Sequence, residues 1–400
     1  MEIARWIVVV EVAWLVGACG AGSSPGPVVE RSDSAGVAIV LSRGADVPLD
    51  WTFTPVLRLG GADGGPEAFF GVGRHSVAVG PEGHLYVLDS GNHHVQVFDA
   101  EGRHVRTLGR KGGGPGEMQL WPRTIRIGAD GTVHVYDIGK RGLVRFAADG
   151  TPLPEVRLDV FRGSLESYGL TESGIVAQTL TRSAGGDDWF NVIAVLTPAG
   201  DTTHLLHSPS PPMKPAEFNC VAISGMTELL APELRWTVAG ERIFVVEDAN
   251  YVIDVYEAGR FVASYRREVA PLPATRELAL RAVGDKMEVR FDFGGSCVIQ
   301  PDEVVDVRGY AKVVPTIGDL AIAPDGTLWI RRYAIKDEAV PIDILAPDGS
   351  YVGTLPAGTP FPDAFFPDGR IVAVERDELE VPRVVVYRVE GWNLGDRVAG

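Results

Sequence analysis

Residues 77–102 read VAVGPEGHLYVLDSGNHHVQVFDAEG. Val77 and Val79, then Leu85 and Val87, then Val95, Val97 and Phe98 recur near period two, which places one face of each run on a core and specifies strand over helix. Pro81-Glu82-Gly83 supplies a tight turn between the first two runs. Asp89-Ser90-Gly91-Asn92 forms a corner before the third, which stops at Asp99-Ala100-Glu101-Gly102. The unit is an antiparallel meander.

It recurs. A shift of 48 residues places Gly83 on Gly131, Asp89 on Asp137, Phe98 on Phe146 and Gly102 on Gly150. Weaker copies follow at Glu172-Ser173-Gly174, Ala239-Gly240, Pro324-Asp325-Gly326 and Pro367-Asp368-Gly369, which makes six. A repeat of about 40 to 50 residues with four short strands marks a β-propeller blade, because one small sheet buries both faces only when neighbours stack around a ring. The fold class expected is all-β: a six-bladed propeller of four-stranded antiparallel blades with a short helical insertion.

Val87 to Phe98, VLDSGNHHVQVF, resembles an NHL repeat, in which an aspartate, Gly-Asn and a basic residue precede the third strand. With the Gly-rich connector Gly112 to Glu117, the pattern is similar to bacterial six-bladed propeller proteins often found as lipoproteins. That resemblance implies the fold over roughly residues 50 to 390. It implies no single function, since the family includes binding scaffolds and a few enzymes.

The net charge of −16 disfavours nucleic acid and anionic lipid surfaces as partners, since phosphate recognition is built on positive patches. At the start of the chain, Arg5, the apolar run Ile7 to Val16 and Val16-Gly17-Ala18-Cys19 read as a signal peptide over 1–18 with a lipobox. The apolar run is too short to span a bilayer. Cys19 would carry lipid, 19–35 would be a Gly, Ser and Pro-rich tether, 36–392 the propeller and 393–400 a tail. The expected place of work is the bacterial cell envelope, with the membrane touched through the lipid anchor alone and the protein a monomer.

The last blade shows only three strand runs, Asp363 to Phe366, Arg370 to Glu375 and Arg383 to Val389. Arg58-Leu59-Gly60 resembles Thr107-Leu108-Gly109, the outermost strand of the first blade, so an N-terminal strand is expected to close the ring. Two insertions, 209–230 and 271–314, interrupt the rhythm. Within the second, Thr275 to Val289 has apolar residues at helical spacing with Thr275 as its cap. Each insertion carries one cysteine, Cys220 and Cys297; with Cys19 used for lipid they are the two thiols left in an oxidising compartment and are expected to pair.

Several chemical motifs fall away. The Gly112 to Gly116 connector lacks the Lys-Ser/Thr of a phosphate loop and precedes no helix. Neighbours on a strand point apart, so His93 and His94 do not share one ion. No Gly-x-Ser-x-Gly elbow exists. Asn92, Asn191 and Asn250 with Asp89, Asp137 and Asp248 are superficially similar to the axial ion site of propeller lactonases, but their place after the second strand suits a side chain that caps the corner.

The strongest expectation for a site is the axial funnel, where the six innermost strands begin and residues remote in sequence converge. The residues there are His75, Arg123, Tyr168, Arg235, Trp236, Asp319 and Asp363. Such a set suits a zwitterion, a carboxylate-bearing small molecule or a peptide end, with arginine on the acid and Asp319 or Asp363 on an amine. A binding or scaffolding protein with a small molecule, peptide or envelope protein as partner and no cofactor is the first reading. A metal-dependent hydrolase or lyase, with a divalent cation such as Ca²⁺, is the alternative.

Overall fold

Leu85 and Val87 face one neighbouring sheet while Tyr86 and Leu88, on the opposite face of the same strand, pack on another. That division, repeated, builds the molecule. The computed structural model describes residues 27–61, 65–158, 164–182, 189–197, 200–209, 212–291 and 294–392. Among them the strands form six blades of four antiparallel strands.

The first blade comprises Val77–Val79, Leu85–Asp89, His94–Phe98 and His104–Leu108. Gly83 at its first turn and Gly131 at the equivalent turn of the second blade have φ of 77° and 79°, the left-handed region that glycine enters at least cost. The innermost strands of the other blades are Pro122–Ile127, Ser164–Thr171, Arg235–Ala239, Ile317–Ile322 and Ala364–Phe365. Apolar cores fill the seams between successive blades, from Tyr86 and Leu88 on Ile125 and Val135 to Trp329 and Ile344 on Phe361. No blade has a core of its own size; each is stable only between its neighbours. Among the described residues no helix is long and apolar enough to cross a membrane.

The fourth place in the last sheet is taken by Thr52–Leu59, which pairs antiparallel with Pro382–Glu390. The chain before it does something the strand pattern does not announce. Val37–Arg43 adds to the fourth blade, parallel to Arg260–Arg267, and Val28–Ser34 pairs back on it, so that sheet has six strands. Between these two attachments Asp46 reaches Arg267 and Arg332 at 2.5 and 2.7 Å, and Leu49 donates to Thr354 on the edge of the fifth blade. The N-terminal segment is therefore a belt across blades four to six.

The two insertions fold together as a cap. The first forms a hairpin, Lys214–Glu217 with Ala222–Met226; the second contributes helix α1 (Arg276–Val283), the hairpin Met287–Arg290 with Ser296–Ile299, and helix α2 (Pro301–Arg308). A disulfide joins Cys220 to Cys297, with Cα atoms 5.9 Å apart. Phe218, Leu230, Ala279, Ile299, Val304 and Val305 make a core that also receives Ile335 of the fifth blade. Thr275 does cap α1, accepting from Leu278 N at 3.2 Å. The helix is shorter than the Thr275 to Val289 span expected: Gly284 turns left-handed at φ 76° and Met287 onward is a strand. Both insertions run directly into the innermost strands of blades four and five, so the cap stands where those strands begin.

Candidate functional site

The recurring spacing within the repeats first explains itself as architecture. Asp89 is fully buried, and its carboxylate accepts from the backbone N–H groups of Phe70, Gly71, Gly91 and Asn92 at 3.0 to 3.2 Å and from the Asn92 amide at 2.9 Å. Gly91 has no room for a side chain, since a Cβ there would lie 2.9 Å from that of Phe70. Asp137 plays the same part in the second blade for Gln119, Leu120 and Lys140. These aspartates tie each corner to the connector that enters the blade. The Gly-rich connector is folded back on itself, Gly114 N donating to Glu117 and Lys140 Nζ to Gly114 O. His93 is a half-buried corner residue at φ 59°. Among the described residues no group of three or more His, Cys, Asp and Glu is placed to hold a metal ion.

The charged residues on the axis are arranged otherwise. A short turn, Arg74–Ser76, leads into the first blade. Arg74 Nε donates to Asp363 Oδ1 at 2.9 Å, and the same guanidinium pairs with Asp319. Asp363 is nearly fully buried and also accepts from Val374 N at 2.8 Å; burial pushes its pKa up against the pull of Arg74. Arg331 reaches Asp319 at 3.4 Å, and the Arg74 and Arg331 guanidinium carbons lie 5.0 and 5.1 Å from the ring centre of Phe361. Blades one, five and six thus meet across the axis.

His75 extends the cluster. Its surface is open to water, yet protein surrounds it, as in a channel rather than a packed interior. Burial first, then Arg126, Arg74 and Arg235, hold its imidazole well below the usual value, at about 4. Burial and the three guanidinium groups act in the same direction. Arg126 is pushed down by burial; its one hydrogen bond among the described residues is to the carbonyl of Ile125, at 2.9 Å. Arg331 is lowered to about 10, by burial and then by Arg74, and its Nε is buried with no hydrogen-bond partner. Four arginines, Arg74, Arg126, Arg235 and Arg331, therefore stand with three carboxylates, Asp319, Asp363 and Glu233, and donors are left unused. A cavity of about 490 Å³ opens beside them, lined by Arg235, Gly318, Arg331, Tyr333 and Asp337 among others.

Of the residues singled out in the sequence, His75, Arg235, Asp319 and Asp363 belong to this cluster. Arg123 is exposed at a bulge where the inner strand of the second blade shifts register, and Arg126 faces the cluster in its stead. Tyr168 is buried in the seam between blades two and three, its hydroxyl donating to the carbonyl of His134 at 2.9 Å. Trp236 packs in the next seam and donates to Gln178 at 2.7 Å. Cys19 lies outside the described residues. Arg74, Arg126 and Arg331 were not among the expected set. Arg331 had a signal: it is the cross-strand partner of Asp319 in the hairpin around Asp325-Gly326.

The NHL repeat family matches residues 75–98. No curated protein matches the chain. Among solved structures it is similar to a protein named as exported from Bacteroides fragilis, at 16% identity and a TM-score of 0.54 over 88% of this chain and 99% of that one. It is also similar to a streptogramin B lyase (10% identity, TM-score 0.40, 85% and 98% covered) and to a gluconolactonase from Xanthomonas campestris (11%, 0.40, 86% and 98%). The first of these likenesses supports the propeller fold.

Proposed function

We propose that this six-bladed, NHL-repeat propeller is an exported binding protein, held at the cell envelope through lipid on Cys19, that takes a small ligand carrying a carboxylate or comparable oxyanion at its axial site. One observation carries the reading: guanidinium donors on Arg126 and Arg331 that no described residue uses, among four arginines whose paired carboxylates are three, Asp319, Asp363 and Glu233. Charge-assisted bonds to such forks are the strong ones, and partly buried pairs are screened less than pairs at an open surface. The alternative, a hydrolase or lyase with a divalent cation on the axis, asks for the opposite excess of charge.

Calorimetric titration with citrate and with acetate tests the reading. Binding is expected to weaken with added salt and to fall roughly tenfold or more in Arg126→Gln, which removes one charge-assisted bond. Equal affinity in Arg126→Gln and the parent protein overturns it. A stoichiometric divalent ion in protein purified without chelator would speak for the alternative.

A further inference from the structure

The cavity beside the axis shares Arg235 and Arg331 with the arginine cluster, so a ligand gripped by one extends into the other. Most of the charges lining it are already matched. Arg235 pairs with Glu233 at 2.6 Å, and Arg332 with Asp343 and Asp46 at 3.0 and 2.7 Å. Glu338 is held by Arg281 of the cap and accepts from Ile335 N. Lys336 lays its side chain along Gly284, the residue that ends α1, where the helix presents its negative pole. Two groups keep bonding capacity to spare, of opposite sign. One is Arg331, whose Nε is buried without a partner. The other is Asp337, which lines the cavity and forms no ion pair or hydrogen bond among the described residues.

Asp337 is not loosely presented. Lys336 on one side and Glu338 on the other are clasped by α1, and Ile335 is buried in the core of the disulfide-stapled cap. Asp319 and Asp363, the sequence candidates for an amine, are both engaged by Arg74. The uncharged part of the wall is small or aromatic: Gly318, Ala334 and Tyr333.

We propose that the ligand is a zwitterion, an amino acid or short peptide with free ends, whose carboxylate meets Arg331 and whose ammonium meets Asp337 in this cavity. The proposal rests on the anion-binding reading of the axial site and adds the cation to it. The cap is then the outer wall of the site, and its staple holds Asp337 at a fixed reach from Arg331.

Calorimetry with alanyl-alanine, N-acetyl-alanyl-alanine and alanyl-alanine amide tests it on the whole protein. The free dipeptide should bind, and each blocked form should bind roughly tenfold more weakly, because each lacks one of the two charge-assisted bonds. Asp337→Asn, on an exposed loop, should bring the free and acetylated dipeptides to equal affinity without weakening the acetylated one. If the acetylated dipeptide binds the parent protein as tightly as the free one, the ammonium site is refuted while anion binding stands. If none of the three binds, the zwitterion is refuted, and the citrate titration decides the anion reading separately.

Discussion

Asp89 shows how a repeat signature can be structural. Its fully buried carboxylate accepts from four backbone N–H groups and so ties the corner to the connector. Asp89→Ala should therefore cost about 3 kcal/mol in urea denaturation, more than an average polar truncation, because several hydrogen bonds to one buried carboxylate are lost together. His75 and His134 set a pH dependence. Both are held at about 4, His75 by burial and three arginines, His134 by burial and Arg145, against an ordinary value of 6.5. Between pH 6.5 and 4 the unfolded chain binds more protons than the folded one, so stability falls as pH falls through that window and these groups contribute no further change outside it. Urea midpoints for His134→Gln should decline less steeply from about pH 7 to about pH 4.5 than those of the parent protein; parallel curves would remove His134 from the account. Asp89 and Asp137 were legible as corner caps because turn chemistry is local. Arg126 was not, since a bulge between Pro122 and Thr124 shifts the strand that carries it, and a bulge leaves no mark in the alternation.

At the scale of elements, the cap is a second folding unit stapled onto the ring. Its helices had uneven signals. Thr275 and the apolar spacing announced α1, and α2 carries equivalent marks in Pro301 at its first turn, Asp302 and Glu303 beside it, and Gly309 after it. The union of the two insertions is a tertiary fact: Leu229 N donates to Gly309 O, far along the chain, and Arg308 Nε donates to Thr227 O at 3.0 Å. The Cys220–Cys297 bond closes a loop of 77 residues, which the chain-entropy account values at about 4 kcal/mol. Replacing both cysteines by serine should loosen the cap while the blades hold, because the six seams between blades do not include the cap core. Hydrogen exchange would show faster exchange over 214–230 and 276–308 with little change over 85–98. Uniform acceleration across the chain would mean that the cap and ring unfold as one.

For the whole molecule the issue is the seam between the last blade and the first. Five blades are continuous in the chain, and the sixth takes its outer strand from Thr52–Leu59, which lies most of the chain length before its partner Pro382–Glu390. Without it, Pro382–Glu390 would present a long edge of Val384, Val385 and Val386, the kind of exposed strand that recruits other chains. The same segment is anchored twice more, by Asp46 on Arg267 and Arg332 and by Val37–Arg43 on the fourth blade. That parallel attachment was not legible, because pairing between such distant segments is encoded in no local period. Two truncations separate the roles. Beginning the chain at Ala45 removes the added hairpin of the fourth blade but keeps Asp46 and the outer strand, and should give a soluble monomer with a modestly lower melting temperature. Beginning at Gly61 removes the strand as well and should give aggregates on size exclusion, since the loss falls on both seams of the sixth blade and on Leu59 in the core it shares with the first. A monomeric, cooperatively melting chain that begins at Gly61 would show that the ring holds without its N-terminal strand.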